Sequence, residues 1–119
     1  VEGELEKFIP DYEAKFIETI KDIVKENLDV SPFTVNNLAD EIGMSRMQLH
    51  RKLKGVTGKS ASEFINEYKV SIAKKMLIES DENISQIAYS LGFSDPSYFN
   101  RLFQKFEELN PSEFRKSNR

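Results

Sequence analysis

The chain has 119 residues, of which 31% are charged and none is cysteine. A chain of this length makes one compact unit or two very small ones. The lack of cysteine excludes disulfides and thiolate metal sites and favours a reducing cytoplasm. No apolar run reaches the roughly 20 residues of a membrane span, so we expect a cytoplasmic protein without membrane contact. Since the chain begins at Val1 rather than methionine, we expect a piece of a longer protein.

The charge is unevenly distributed along the chain. The net charge is −3, but residues 1–33 contain 4 Lys against 9 Asp and Glu, whereas residues 34–119 contain 13 Lys and Arg against 11 Asp and Glu. Nucleic-acid binding depends on where charge lies on the surface rather than on the total. The mildly basic region is therefore compatible with DNA binding that weakens steeply with salt.

An amphipathic helix is predicted first. Residues 5–28 have apolar side chains at helical spacing. Pro10 is predicted near its start, where a missing N–H costs nothing. Residues 29–33 are a predicted linker, so that residues 1–33 form an N-terminal helix and its connection.

The rest of the chain contains one pattern twice. Residues 35–45 match residues 84–94 position by position, from Val35 with Ile84 onward, at an offset of 49. After one extra residue the match continues at an offset of 50, as far as Phe64 and Phe114. An internal repeat indicates a repeated structural unit, and each copy is typical of a helix-turn-helix.

Each copy has helix start and stop signals. In the first copy Thr34 is a predicted N-cap, and Asn37 completes a capping box with it. The first helix is predicted to end at Gly43, which reaches positive φ without steric cost, and the second to begin at Ser45. The equivalent residues of the second copy are Asn83, Gln86, Gly92 and Ser94.

A long helix is predicted between the two copies. Ser60 and Glu63 form a capping-box pattern at its start, and the helix should end near Ser80. At 1.5 Å per residue it spans about 28 Å. Asn110 and Glu113 form the same pattern before a short last helix.

These elements predict an all-α protein of about seven helices and no strands. Its units are an N-terminal helix (1–33), a first helix-turn-helix (34–59), a linker helix (60–82), and a second helix-turn-helix with the last helix (83–119).

The second copy resembles a known family. The sequence ISQIAYSLGFSDPSYFNRLFQK at residues 84–105 is similar to the signature of AraC/XylS-type transcription regulators, and residues 111–115 match its tail. The resemblance extends over residues 34–116. It implies a sequence-specific DNA-binding domain that regulates transcription by activation, with its two recognition helices in successive major grooves of double-stranded DNA. RNA polymerase is then an expected partner. Glu108 departs from the family pattern, which usually has glycine there, as the first copy has at Gly58.

Carried over by position, the resemblance implies DNA-contacting residues on the second helix of each unit. In the first unit the base-reading residues are Met47, His50 and Arg51, with Arg46 near the DNA backbone. In the second unit they are Pro96, Ser97, Asn100 and Arg101, with Tyr98 beside them. A lone arginine is ordinarily a solvated charge, but Arg51 and Arg101 occupy equivalent positions in the repeat, which favours contact with guanine or phosphate.

Two further readings concern partners and alternatives. The N-terminal helix and its Phe33-Thr34-Val35 junction resemble the segment before this domain in hybrid two-component regulators, where a sensor or receiver domain lies upstream. A helical protein-interaction module is the alternative function, favoured by the acidic N-terminal helix and a pI near 5.3. Catalysis is not expected, because the sequence lacks a phosphate loop, metal-ligand spacing and a nucleophile–base pair, and His50 is the only histidine. No cofactor and no metal are predicted.

Overall fold

The structure, a computed structural model, describes residues 11–30 and 32–119. Within these ranges the regular elements are seven α-helices and no strand, so the predicted all-α fold is confirmed. In chain order the helices are α1 (Asp11–Glu26), α2 (Val35–Ile42), α3 (Arg46–Thr57), α4 (Ala61–Glu79), α5 (Ile84–Ser90), α6 (Pro96–Glu107) and α7 (Pro111–Asn118).

The prediction for α1 was two residues too long at its C-terminal end. The helix ends at Glu26, and Asn27 Nδ2 then donates a hydrogen bond to the Ile23 carbonyl at 2.8 Å. This bond satisfies a terminal carbonyl that no later N–H reaches. Residues 5–10 of the predicted helix, including Pro10, lie outside the described residues.

The predicted capping boxes at the starts of α2 and α5 are confirmed. Thr34 Oγ1 accepts from the Asn37 N–H at 3.1 Å, and Asn37 Oδ1 accepts from the Thr34 N–H at 2.9 Å. Asn83 and Gln86 exchange the equivalent bonds at 2.8 and 3.0 Å. Each pair satisfies two backbone N–H groups that have no partner within the helix.

The turn of the second unit differs from the prediction in two places. α5 ends at Ser90 rather than at Gly92, because the chain tightens into a turn in which the Gly92 N–H donates to the Tyr89 carbonyl at 3.0 Å. The start predicted at Ser94 is also wrong, since the N-cap of α6 is Asp95.

The extra residue of the second copy explains the new N-cap. Asp95 Oδ1 accepts from the Ser97 N–H at 2.9 Å, and Pro96 occupies the first helical position, where its missing N–H costs nothing. In the first copy Ser45 caps α3 as predicted. The one-residue insertion has therefore moved the cap by one position without changing the helix that follows.

α4 joins the two units as a continuous helix of 19 residues, about 28 Å long. Ser60 Oγ accepts from the Glu63 N–H at 3.1 Å, but Glu63 returns no bond, so the predicted capping box is only half formed. The Glu63 carboxylate still lies in the first turn of the helix, where the helix dipole favours negative charge.

Two hydrophobic cores share α4. Ala61 and Ile65, in its N-terminal half, pack with α1, α2 and α3. Ala73 and Leu77, in its C-terminal half, pack with α5, α6 and α7. Leu28, just after α1, packs against both cores. α4 therefore fixes the position of one unit relative to the other.

The C-terminal end of α4 is held by arginines from the end of the chain. Arg115 Nε donates to the Leu77 carbonyl at 2.9 Å, and its Nη2 donates to the Ser80 carbonyl at 3.1 Å. Arg119 also donates to Ser80 and pairs with Asp81. The hydrogen bond from Arg119 lowers the pKa of the Asp81 carboxyl below its ordinary value. These side chains satisfy terminal carbonyls of α4 that have no helical partner.

The substitution Arg115→Ala should lower the free energy of unfolding by about 1–3 kcal/mol, because two half-buried backbone carbonyls lose a charged donor. Chemical denaturation of the purified domain measures this change. Arg115→Lys is the matched control: it keeps the charge, cannot reach both carbonyls at once, and should recover only part of the loss. An alanine variant as stable as the parent would contradict the capping role.

Glu108 has a left-handed backbone conformation, with φ 64°. It is the only non-glycine residue with positive φ in the described part of the chain, and the equivalent Gly58 has φ 76°. The Glu108 N–H donates to the Gln104 carbonyl at 2.8 Å, which closes α6. The turn geometry is thus the same in both units, although one has glycine and the other glutamate.

The variant Glu108→Gly should be more stable than the parent by about 1 kcal/mol, because glycine has no Cβ to clash in this conformation. The greater freedom of glycine in the unfolded chain offsets part of this gain. Thermal melts would measure the change. Glu108→Ala removes the same charge but keeps the Cβ, so it should not gain. If the glycine variant melted below the alanine variant, the strain argument would be wrong.

Candidate nucleic-acid interface

α3 and α6 occupy equivalent places in the two units, each as the second helix of a helix-turn-helix. Leu49 and Leu53 anchor α3 to the first core, and Phe99 and Phe103 anchor α6 to the second, all with no exposed surface. The opposite faces of both helices are open to solvent. Each unit therefore presents one polar helix face on a rigid apolar base.

The nine predicted DNA-contacting residues all lie on these two helices. Eight are exposed and Pro96 is half-exposed. Met47 is 69% exposed, unusually high for a large apolar side chain, and Tyr98 is 42% exposed. The side chains are thus available for contact with a partner.

Three adjoining cavities connect α3 to α6. The first, about 550 Å³, is lined by Arg46, Met47 and His50 among others. The second, about 450 Å³, runs from Arg46 to Tyr98, and the third, about 430 Å³, runs from Tyr98 to Arg101. We call the second and third together the interhelix groove.

The cavities bring together five of the nine predicted residues and leave out four. Arg46, Met47, His50, Tyr98 and Arg101 line them. The others lie on the same two helices outside the cavities: Arg51, Pro96, Ser97 and Asn100.

Arg101 lies beside an aromatic pair, Tyr98 and Phe93, whose rings are tilted by 52°. Its guanidinium lies 5.9 Å from the centre of the Tyr98 ring, and the Tyr98 ring lies 6.0 Å from that of the buried Phe93. A cation over an aromatic face is held by the ring quadrupole. The core thus limits the orientations open to Arg101.

Sequence reasoning missed Lys69, which lines both cavities of the interhelix groove. This lysine of α4 is only 7% exposed. Its Nζ lies 5.1 Å from the centre of the Phe93 ring, and no described carboxylate is within ion-pair distance. Burial lowers the pKa of the Lys69 ammonium below its ordinary value. One signal was available: Lys69 stands four residues after Ile65 and four before Ala73, on the buried face of α4.

Other lysines of the repeat region are engaged away from the groove. Lys52 Nζ lies 4.3 Å from the centre of the Phe16 ring, so this residue of α3 faces α1. Lys74 forms an ion pair with Glu107 at 3.0 Å. Of the three lysines of α4, Lys69 is the one that lines the interhelix groove.

The linker after α1 passes directly beside the turn of the second unit. A Cβ on Gly92 would lie 2.7 Å from the Leu28 carbonyl oxygen, closer than real Cβ contacts come. Gly92 also has φ 86°. Two features therefore require glycine at position 92: the positive φ of the turn and the close approach of the linker. The linker forms one wall of the groove through Pro32 and Phe33.

Two features of residues 11–30 and 32–119 bear on other classes of function. No group of His, Cys, Asp and Glu side chains there has the arrangement of a metal site. No helix in those ranges is long and apolar enough to cross a membrane.

Two exposed second helices on either side of a cationic groove define a helix-turn-helix domain of the DNA-binding class. A family model described as a helix-turn-helix domain matches residues 38–117. The chain is 38% identical over 92 residues to histidine kinase P4 of Formosa agariphila. This match covers 77% of this chain and 7% of that protein. It is 34% identical over 79 residues to the HTH-type transcriptional activator RhaS of Citrobacter koseri, covering 66% of this chain and 28% of that protein.

A solved structure has the same fold. The crystal structure of an AraC-type transcriptional regulator from Chromobacterium violaceum superposes with a TM-score of 0.77 at 24% identity, covering 86% of this chain and 90% of that one. The chain belongs to the AraC-type helix-turn-helix family and is a DNA-binding domain of transcription regulation. It spans only a small part of each of these two curated relatives, 7% of the first and 28% of the second.

Proposed function

We propose that one copy of this domain reads a specific duplex DNA sequence by placing α3 and α6 in successive major grooves. The observation that carries the proposal is the pair of equivalent exposed helix faces joined by α4, 19 residues and about 28 Å long. Successive major grooves on one face of B-DNA are about 34 Å apart. The described part of the chain measures 38 × 38 × 21 Å, which is wide enough to cover one turn.

The chemistry of the exposed residues supports a division of roles. Arginine binds guanine O6 and N7 through two hydrogen bonds, asparagine does the same with adenine, and apolar side chains contact the thymine methyl group. We assign these roles to Arg51 and Arg101, to Asn100, and to Met47. Arg46 lines the groove and is assigned to the DNA backbone. The remaining base-contact candidates are His50, Pro96, Ser97 and Tyr98.

We infer that the domain is the output end of a longer regulator in the cytoplasm, where an upstream sensor or receiver domain controls it. The chain matches 7% of the length of a histidine kinase, and this likeness supports an upstream module. The likeness to a protein named as a transcriptional activator supports activation, with RNA polymerase as the partner. α1, at the N-terminal side of the first unit, is the junction through which such a module would act.

The alternative function, a protein-interaction module, has the net charge of −3 in its favour. Binding of random duplex DNA at low and moderate salt separates the two functions. A DNA-binding domain displaces counterions from the duplex and loses affinity for it steeply as salt rises. A protein-interaction module shows no such steep loss of duplex binding with salt.

The substitutions Arg51→Ala and Arg101→Ala should each weaken specific DNA binding by about 1–3 kcal/mol and relax base preference at one position. The two affected positions should lie about one helical turn apart, because α3 and α6 read different grooves. Binding-site selection followed by footprinting would locate them. Lys25→Ala, which removes an exposed charge from α1, is the control. It should change neither the affinity for the specific site nor the base preference. Loss of protection at the same half-site in both arginine variants would contradict the two-groove arrangement.

The isolated domain should bind as a monomer and protect roughly 15–20 base pairs, because α4 already supplies the separation of about one turn that other helix-turn-helix proteins obtain by dimerising. Analytical ultracentrifugation of the complex with a selected site would measure the stoichiometry. Two protein copies on every site, each engaging one recognition helix, would refute the prediction.

A further inference from the structure

Lys69 lies where the two halves of the interhelix groove meet. The described side chains that line the groove include three cations, Arg46, Lys69 and Arg101, and one carboxylate, Asp95. Asp95 Oδ1 is already occupied by the backbone N–H of Ser97. The groove is therefore a positively charged channel, with one arginine toward each recognition helix and the lysine between them.

A lysine at this position is unfavourable for the fold itself. It occupies the buried face of α4, where the neighbouring positions in the stripe are Ile65 and Ala73. Removing an ammonium in part from water without a carboxylate partner costs free energy, and the Phe93 ring 5.1 Å away offsets only part of that cost. An apolar side chain of similar length, such as methionine, would pack there without the penalty, so the charge needs another reason.

We propose that Lys69 binds a phosphate group of the DNA backbone that crosses the groove between the two major grooves. The inference rests on the proposed function, because a duplex engaged by both α3 and α6 must pass its sugar-phosphate backbone across the face between them. Lys69 lines that face, and the neighbouring Asn66 and Ser62 add polar side chains to it. A phosphate contact fixes the position of the protein on the duplex but carries no sequence information.

The competing explanation is that Lys69 holds the linker after α1. A Cβ built on Gly92 would lie 3.5 Å from Lys69 Nζ, 2.7 Å from the Leu28 carbonyl oxygen and 3.5 Å from the Val30 carbonyl oxygen. The ammonium and these two carbonyls of the linker are therefore close to the same point. No hydrogen bond joins Lys69 to either carbonyl in the described structure. A structural tether would affect the stability of the domain but not the number of phosphates that it neutralises.

The salt dependence of DNA binding distinguishes these explanations. For Lys69→Met, the slope of log K against log salt should become less negative by about 0.9, the value for one phosphate contact. Lowering the salt from 1 M to 0.1 M should therefore raise the affinity of the variant about eightfold less than that of the parent. The preferred base sequence should stay the same, and the melting temperature should stay equal or rise. Lys69→Arg keeps the charge and should keep the slope.

Lys75→Met is the matched control, because Lys75 belongs to the same helix, is exposed, and lies outside the lining of the groove. Its slope should equal that of the parent. If the parent domain binds DNA specifically and Lys69→Met has an unchanged slope, the phosphate contact is wrong and the proposed function remains intact. A parent domain that binds no duplex at any salt would overturn both. The slope is read on folded protein, and a lower melting temperature with an unchanged slope in Lys69→Met would identify the structural tether instead.

Discussion

Both hydrophobic cores of this domain depend on the same helix, α4, and the rest of the structure follows from that sharing. The N-terminal half of α4 packs under α3 as α7 packs under α6, and its C-terminal half packs beside α5 as α1 packs beside α2. Each helix-turn-helix unit is therefore preceded by one helix and followed by another. α4 is the helix that follows the first unit, and it is also the helix that precedes the second. A domain of this size buries a limited fraction of its surface, so two separate three-helix units would each have a small core. The shared helix also sets the separation of the two recognition helices, which links the stability of the fold to the spacing on which our DNA-binding proposal depends.

The placement of charge shows a conflict between stability and binding. The net charge of −3 is opposite to what a DNA-binding surface needs, but the excess of acidic residues belongs to residues 1–33 of the sequence. The described residues of that segment that line the interhelix groove, Pro32 and Phe33, carry no charge. Within the groove the charges are mainly positive, and one of them is buried on α4 without an acidic partner. Proteins keep such destabilising groups at functional sites. Of the described side chains that line the groove, three are cations and one, Asp95, is a carboxylate, so the surface that we propose meets phosphate has an excess of positive charge.

The two copies of the repeat have diverged without losing their common geometry. One extra residue moved the N-cap of α6 from Ser94 to Asp95, and the helix adapted because Pro96 needs no hydrogen-bond partner at its first position. Position 108 has glutamate where the first copy has Gly58, and both residues have a left-handed backbone conformation, at some cost for the glutamate. In both places the tertiary contacts of α6 and α7 were retained while the local sequence changed. Packing against the shared core is thus a stronger constraint on these turns than local preference.

The sequence by itself determined the helices, their order and most of their ends. Those features are local: Thr34 with Asn37, or Asn110 with Glu113, are close along the chain, so a capping box can be recognised without knowing the fold. The repeat identified the two recognition helices and the exposed residues on them, because equivalent positions have equivalent surroundings. Only the tertiary structure decided which of these residues share a groove, that Arg115 closes α4 from 38 residues away, and that Lys69 lies between the two units. Each of these contacts joins segments that are distant in sequence, and their meeting depends on how the helices pack around α4 rather than on any pattern within one of them.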